Sequence, residues 1–281
     1  MYEILAKEAL GPVTKLYEVH APVVAQKARA GQFVIVRLTA EGERIPLTIA
    51  DYDRERGSIT LVVQELGKTT MQMATLQVGD HLASFTGPLG IPSEIENYGT
   101  VLCVGGGVGI APIYPIARDL KEAGNTVISI IGARSKDLLF WEEKMRSVSD
   151  ELVICTDDGS CGRHGLVTLP LKELLESDRP IEHIWCIGPA IMMKFAMLTI
   201  QPFGVPTTVS LNSIMVDGTG MCGACRVEVG GQTRFVCVDG PEFDGHQVDW
   251  DQLLARQRIY LEQEKQAVER WHHECQCGQG S

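Results

Sequence analysis

The chain has 281 residues, with 25 Lys and Arg against 36 Asp and Glu for a net charge of -11, and it is 44 % hydrophobic and 22 % charged. That length suits two domains with room for a small third, and the composition is that of a globular chain able to bury a sizeable core. The acidic balance speaks against nucleic acid as a partner, since a phosphate-binding surface needs an excess of positive charge.

The first third reads as β-structure. Runs such as Gln32–Leu38 and Ser58–Val63 are short and apolar or alternating, and turn signals at Gly42, Gly57, Gly79-Asp80 and Gly87-Pro88 separate them. Many short strands at this spacing predict an antiparallel barrel. No basic start with an apolar run opens the chain at Met1–Glu8, and no stretch approaches about 18 apolar residues. The expected location is cytoplasmic, away from membranes.

From Thr100 the pattern changes to strand, glycine turn and helix. Val101–Val104 leads into Gly105-Gly106-Gly107-Val108-Gly109-Ile110-Ala111-Pro112, and a helical run continues to about Ala123. Further strands are expected at Val127–Ile131, Glu151–Thr156 and His183–Ile187, which predicts a doubly wound parallel sheet. The glycine turn can aim backbone amides at a phosphate beside a helix N-terminus. It departs from the Gly-x-Gly-x-x-Gly fingerprint, because Ala111-Pro112 stands where the last glycine would be.

The most specific pattern follows Pro206, where the cluster loop is expected to begin: Asp217-x4-Cys222-x2-Cys225-x11-Cys237, with Gly218, Gly220 and Gly223 between the polar residues. It matches the plant-type [2Fe–2S] spacing with an aspartate for the first cysteine, and glycines there let amides approach the cluster sulfides. Oxygen is an acceptable iron ligand. Zinc, a dithiol pair and plain reduced cysteines are the other readings of a Cys-x2-Cys pair. Only Cys237 and the more distant His246 answer the pair, and the glycine-rich loop suits a cluster better than a zinc knuckle. Nine dispersed cysteines fit a reducing compartment without structural disulfides. An amphipathic helix carrying Trp250, Leu253, Leu254, Tyr260, Leu261, Val268 and Trp271 is expected to close the chain, its apolar stripe used for packing. His272, His273, Cys275 and Cys277 read as a terminus without an apolar anchor rather than as a metal site.

These motifs together resemble the ferredoxin–NADP reductase superfamily over essentially the whole chain. Arg44-Ile45-Pro46-Leu47-Thr48 resembles the flavin motif whose arginine meets the pyrophosphate and whose hydroxyl residue reaches the isoalloxazine. Gly67-Lys68-Thr69-Thr70 resembles the second phosphate-binding turn, Gly105–Pro112 the nicotinamide-nucleotide loop, and Gly188-Pro189 the turn beside the nicotinamide. Leu47 departs from the usual stacking tyrosine, and Ile187 stands where the family has a cysteine before Gly-Pro. Cys186 lies one position early, so no catalytic residue is assigned.

The resemblance implies an FAD-binding β-barrel over 1–98, a Rossmann-like NAD(H)-binding domain over 99–205, and a [2Fe–2S] module with a terminal helix over 206–281. It implies cluster ligation by Asp217, Cys222, Cys225 and Cys237. NAD(H) is favoured over NADP(H): Arg134 could meet a 2′-phosphate, but Asp157 and Asp158 add negative charge nearby. Two branches are nearest, the electron-transfer subunit of dihydroorotate dehydrogenase and the small subunit of NADH-dependent reduced ferredoxin:NADP oxidoreductase, which resembles sulfide dehydrogenase subunits. The aspartate and the long tail resemble the second branch. That branch implies an electron-bifurcating heterodimer whose larger subunit holds a second FAD, [4Fe–4S] clusters and the NADP and ferredoxin sites. A dihydroorotate-type subunit or a self-sufficient ferredoxin or polysulfide reductase is the alternative.

Overall fold

The structure is a computed structural model that describes residues 2–278, with side chains described to His273. Its first sheet has seven antiparallel strands ordered along the sheet as His81–Leu82, Tyr2–Ala9, Thr14–His20, Ser58–Gln64, Arg44–Asp53, Phe33–Arg37 and Ser84–Leu89. The two edge strands follow one another in the chain with only Ala83 between them. The sheet must therefore curl until its edges meet, giving the nearly closed barrel expected from the turn spacing. Ile4, Tyr17, Val19, Val34, Ile49 and Leu61 fill it. The helix Lys68–Thr75 caps one side, with Met73 fully buried and its carbonyl accepting from the Tyr17 hydroxyl at 3.1 Å.

The second sheet runs Arg163–His164, Glu151–Thr156, Thr126–Ala133, Thr100–Gly106, His183–Ile187, Thr207–Ser210 and Glu242–Asp244. All pairings are parallel except the last. Both faces are covered, which explains why the strands are apolar almost throughout. Leu102, Val104, Ile128 and Ile184 point into a core shared with Leu171, Met193 and Met197 of the helices Thr168–Leu175 and Ala190–Ile200. Val101, Val127 and Trp185 point the other way, toward Ile113, Ile116 and Met145 of the helices Ile110–Glu122 and Glu142–Ser147. Each such apolar side chain contributes about 1.5–3 kcal/mol on burial.

Two expectations need correction. The chain after Pro206 does not pass straight into the cluster loop: Thr207–Ser210 extends the parallel sheet and Glu242–Asp244 returns to pair with it. These β-branched and phenylalanine-bearing segments are only four and three residues long, too short to announce themselves by period. The closing helix is also two helices, Trp250–Gln257 and Leu261–Gly278. Arg256 donates to the Ala224 carbonyl at 3.1 Å, and Gln257 donates to Asn212 at 2.9 and 3.0 Å, so the first helix is tied to the cluster segment. The chain then turns through i→i+3 bonds at Arg258 and Ile259 and packs its second helix beside Lys68–Thr75. The apolar stripe divides accordingly: Leu253 is buried, whereas Ile259, Tyr260 and Leu261 are exposed, and Leu261 lines a groove of about 550 Å³ with Leu66 and Val268. Cys275 and Cys277 lie outside the residues whose side chains are described. Among the described residues no helix is long and apolar enough to cross a membrane.

Candidate cofactor sites and electron path

The order of the parallel sheet reverses between the strands Thr100–Gly106 and His183–Ile187, the position at which open α/β sheets bind ligands beyond their strand ends. Both glycine motifs sit there. Gly107–Gly109 forms one tight turn before the helix Ile110–Glu122, and Gly188-Pro189 leads into the helix Ala190–Ile200. A Cβ on Gly109 would stand 2.3 Å from the Ile187 carbonyl oxygen, and one on Gly106 would meet Met192 Sδ at 2.0 Å. Glycine is required at Gly109 because the two turns pack backbone to backbone there, whereas at Gly106 the neighbour is the movable end of the Met192 side chain. Gly107, at φ +56°, instead has nothing within 4 Å, leaving that part of the loop open to a ligand. Val108, Ala111 and Pro112 follow it, with Ala111 and Pro112 buried in the first turn of the helix.

Arg134 lies just beyond the strand Thr126–Ala133, and its carbonyl accepts from the Asp158 amide at 3.1 Å. Arg134, Asp157 and Asp158 are thus neighbours on the exposed rim. The Ser160 hydroxyl and amide hold the Asp158 carboxyl below its ordinary range, so it stays anionic.

The flavin-type motif occupies the strand Arg44–Asp53, where Arg44 is exposed and Pro46, Leu47 and Thr48 are half-buried opposite Ile35, Val34 and Phe33. Gly67 begins the helix Lys68–Thr75, and Thr70 Oγ1 accepts from the Leu66 and Gly67 amides at 3.0 Å each. The amides of Lys68, Thr69 and Thr70 lie in the first turn, without an intrahelical acceptor, and can face an anion. Thr69 Oγ1 donates to Glu43 Oε2 at 2.6 Å, tying this turn to the residue before Arg44. An arginine, a hydroxyl and a free helix terminus on one side of the barrel fit a dinucleotide pyrophosphate.

The Asp217–Cys225 loop lies between the strands Thr207–Ser210 and Arg226–Val229, and Cys237 follows the next strand, Gln232–Phe235, in the short helix Val236–Asp239. Gly218, Gly220 and Gly223 have φ of +82°, +85° and +67°, values only glycine adopts without strain. A Cβ on Gly218 would stand 2.6 Å from Ile35 Cγ1 and 3.1 Å from Leu89 Cδ1, so the loop is pressed against the barrel strands beside the flavin motif. Asp217 Oδ2 accepts from the Thr219 amide at 3.0 Å and from the Thr219 hydroxyl, while Oδ1 accepts no hydrogen bond among the described residues. Its carboxyl is held below the usual range, chiefly by Thr219 and additionally by the Arg44 charge, which brings the flavin and cluster motifs within electrostatic reach.

Cys222 is exposed, and the backbone amides of Ala224 and then Asp217 hold its thiol below the ordinary value. Cys225 and Cys237 are buried with their sulfurs 3.2 Å apart; burial and the neighbouring Cys225 push Cys237 up to about 12, against the opposing Gly220 amide. Among the described residues no three His, Cys, Asp or Glu side chains close on one point. Three thiols, one free carboxylate oxygen and amides turned toward sulfur nevertheless form a donor set that fits an iron–sulfur cluster.

Sequence reasoning did not find Ile35 and Leu89, which seat the cluster loop, nor Glu242, whose inward carboxyl accepts from Ser93 Oγ at 2.6 Å. No local signal marks them; each acquires its role from a partner remote in sequence.

Comparisons with known proteins agree with this geometry. Residues 2–92 match an oxidoreductase FAD-binding domain, 103–197 an oxidoreductase NAD-binding domain, and 212–249 the iron–sulfur cluster binding domain of dihydroorotate dehydrogenase B. The chain is 53 % identical over 269 residues to a dihydroorotate dehydrogenase B (NAD(+)) electron transfer subunit homolog of Thermotoga maritima, covering 96 % of this chain and 95 % of the relative. It is 35 % identical over 237 residues to the corresponding electron transfer subunit of Bacillus caldolyticus, covering 80 % and 89 %. Among solved structures, a chain from the NADH-dependent reduced ferredoxin–NADP oxidoreductase, described for flavin-based electron bifurcation, superposes with a TM-score of 0.92 at 52 % identity, covering 96 % of this chain and 98 % of that one. The protein is therefore an oxidoreductase electron-transfer subunit carrying FAD-, NAD- and iron–sulfur-binding domains, and it belongs to the family of dihydroorotate dehydrogenase B electron-transfer subunits and their homologues, within the ferredoxin–NADP reductase superfamily.

Proposed function

We propose that this chain exchanges electrons between NAD(H) and a larger partner subunit of a flavin-based electron-bifurcating NADH-dependent ferredoxin–NADP oxidoreductase. The observation that carries the reading is the 52 % identity, over nearly the full length of both chains, to the chain from that complex, together with Asp217 in place of a fourth thiolate. The working division is an FAD barrel at 1–98, an NAD(H) domain at 99–205 and a cluster module at 206–281.

Bound flavin supplies the ability to take two electrons together and release them singly. Arg44 and the amides of Lys68–Thr70 would hold its pyrophosphate, while Pro46, Leu47 and Thr48 would line the ring. Leu47 presents an aliphatic surface in place of an aromatic stack. The Gly105–Gly109 loop and Gly188-Pro189 would hold the nucleotide of NADH and exclude water behind it. Asp217, Cys222, Cys225 and Cys237 would hold the cluster, and the contact of Gly218 with Ile35 supports a short path from flavin to cluster. The carboxylates of Asp157 and Asp158 beside Arg134 disfavour a 2′-phosphate, which supports NAD over NADP.

The second reading, a dihydroorotate dehydrogenase electron-transfer subunit, is supported by the names of the Thermotoga and Bacillus relatives. The two are distinguished by purifying the tagged chain with its natural partner and assaying the complex anaerobically. Coupled oxidation of NADPH with reduction of NAD and ferredoxin supports the first reading. NAD-dependent oxidation of dihydroorotate refutes it in favour of the second.

A further inference from the structure

The strand that carries the flavin motif packs against the helix that opens at the nucleotide loop through Ala50, and an ion pair joins the two elements beside that apolar contact. Arg118 Nη1, on the helix Ile110–Glu122, donates to Asp51 Oδ1 at 2.7 Å, on the strand Arg44–Asp53. A register shift between Ile49 and Asp51 in the pairing with Ser58–Gln64 leaves Ala50 as an extra, unpaired residue and brings Asp51 opposite Thr60, so the regular alternation of faces is interrupted just before Asp51. The pair is well supported. Arg118 Nε also bonds Asp119 at 3.0 Å, its guanidinium lies 5.2 Å from the Tyr52 ring centroid, and Lys144 Nζ lies 3.8 Å from Asp51 Oδ2. Both side chains of the Asp51–Arg118 pair are about four-fifths removed from solvent, which makes the contact geometrically defined rather than a solvated surface pair.

From these contacts we infer that Asp51 and Arg118 are positioning residues, which fix the distance between the flavin ring and the nicotinamide by cross-linking the two elements that hold them. The inference rests on the proposed use of Arg44–Thr48 and Gly105–Gly109. Asp51 lies three residues from Thr48, about 10 Å along a strand. Arg118 lies nine residues from Gly109, about 13.5 Å along a helix. Elements this rigid transmit a shift at the ion pair to their ends, and hydride transfer needs reacting atoms within about 3–3.5 Å. Asp51 and Arg118 lie outside the Arg44–Thr48 and Gly105–Gly109 segments, so on this inference the pair governs approach rather than binding.

The test uses the purified full-length FAD- and cluster-loaded chain as wild type, Arg118→Lys, Arg118→Met, Asp51→Asn and the exchange Asp51→Arg/Arg118→Asp. Stopped-flow mixing with NADH reads the flavin-reduction rate, the NADH dissociation constant and the long-wavelength charge-transfer absorbance of the stacked rings. Thermal unfolding controls for folding. Expected are a reduction rate lower by tenfold or more in Arg118→Met and Asp51→Asn, set against the roughly 10²-fold cost of a 1 Å misplacement. The charge-transfer band should weaken, the dissociation constant change little, and Arg118→Lys and the exchanged pair recover part of both signals. Folded variants with wild-type rates and bands overturn the inference, as does a loss confined to the dissociation constant or to unfolding temperature. Failure of the wild-type flavin to be reduced by NADH would instead refute the functional reading beneath it.

Discussion

Replacing Gly109 by alanine tests whether the nucleotide loop is built by backbone contact with Gly188. Gly109 has φ of -62°, so alanine carries no conformational penalty there; the whole effect comes from the added methyl. That methyl would lie 2.3 Å from the Ile187 carbonyl oxygen, 2.7 Å from its carbon and 2.9 Å from Gly188 Cα, all backbone atoms that cannot rotate aside. Ordinary contact begins at 3.4 Å, so the two turns must part by about 1 Å. Overpacking of this kind costs about 1–3 kcal/mol in stability, and a 1 Å displacement at a reacting centre costs on the order of 10²-fold in rate. Gly107→Ala provides the contrast: its φ of +56° imposes strain, worth about 1–2 kcal/mol, but its methyl meets nothing within 4 Å. Denaturant unfolding should therefore show similar stability losses for the two variants, while in anaerobic NADH-dependent flavin reduction Gly109→Ala should lower the limiting rate and Gly107→Ala, whose methyl enters the space open to the nucleotide, should chiefly weaken NADH binding. Equal rates in Gly109→Ala and wild type would refute the argument that the nucleotide loop depends on close packing with Gly188.

Three further outcomes are expected. Burial pushes the Glu242 carboxyl up to about 7 from 4.5, against the opposing Ser93 and Trp185. The folded state then holds an extra proton between those values, so stability falls as pH rises through that window, by about 1–3 kcal/mol; Glu242→Gln should flatten the unfolding free energy against pH, and an unchanged slope would contradict the assignment. Cys225→Ser removes one of two buried sulfurs 3.2 Å apart and should lose iron and acid-labile sulfide while retaining FAD, measured by elemental and flavin analysis. Gly218→Ala, strained at φ +82° and 2.6 Å from Ile35 Cγ1, should slow cluster reduction after NADH is added while leaving flavin reduction close to wild type, as followed by absorbance at cluster and flavin wavelengths.

Much of this molecule was legible because the informative features are local. Asp217, Cys222, Cys225 and Cys237 declare themselves by spacing, and Gly105–Gly109 by its position between an apolar strand and a helix. The barrel followed from turn residues repeated between short strands. What escaped the sequence depends on long-range partners: Glu242 looks like a surface residue until Ser93, 149 positions away, meets it. Asp51 and Arg118 are ordinary charges until a bulge and a helix bring them together across 67 residues. The final helix carries a continuous apolar pattern, with no Gly or Pro at the break to Leu261; Arg256 and Gln257, held by Ala224 and Asn212, interrupt it.

The central claim is that one chain relays electrons from NADH through flavin to an iron–sulfur cluster. Metal, sulfide and flavin analysis of anaerobically purified protein, with absorption spectra before and after NADH, tests it most directly. The account predicts about two irons and two sulfides for a [2Fe–2S] centre, one FAD, and bleaching of both flavin and cluster absorbance by NADH. Zinc without sulfide, absence of flavin, or a spectrum unmoved by NADH would contradict it.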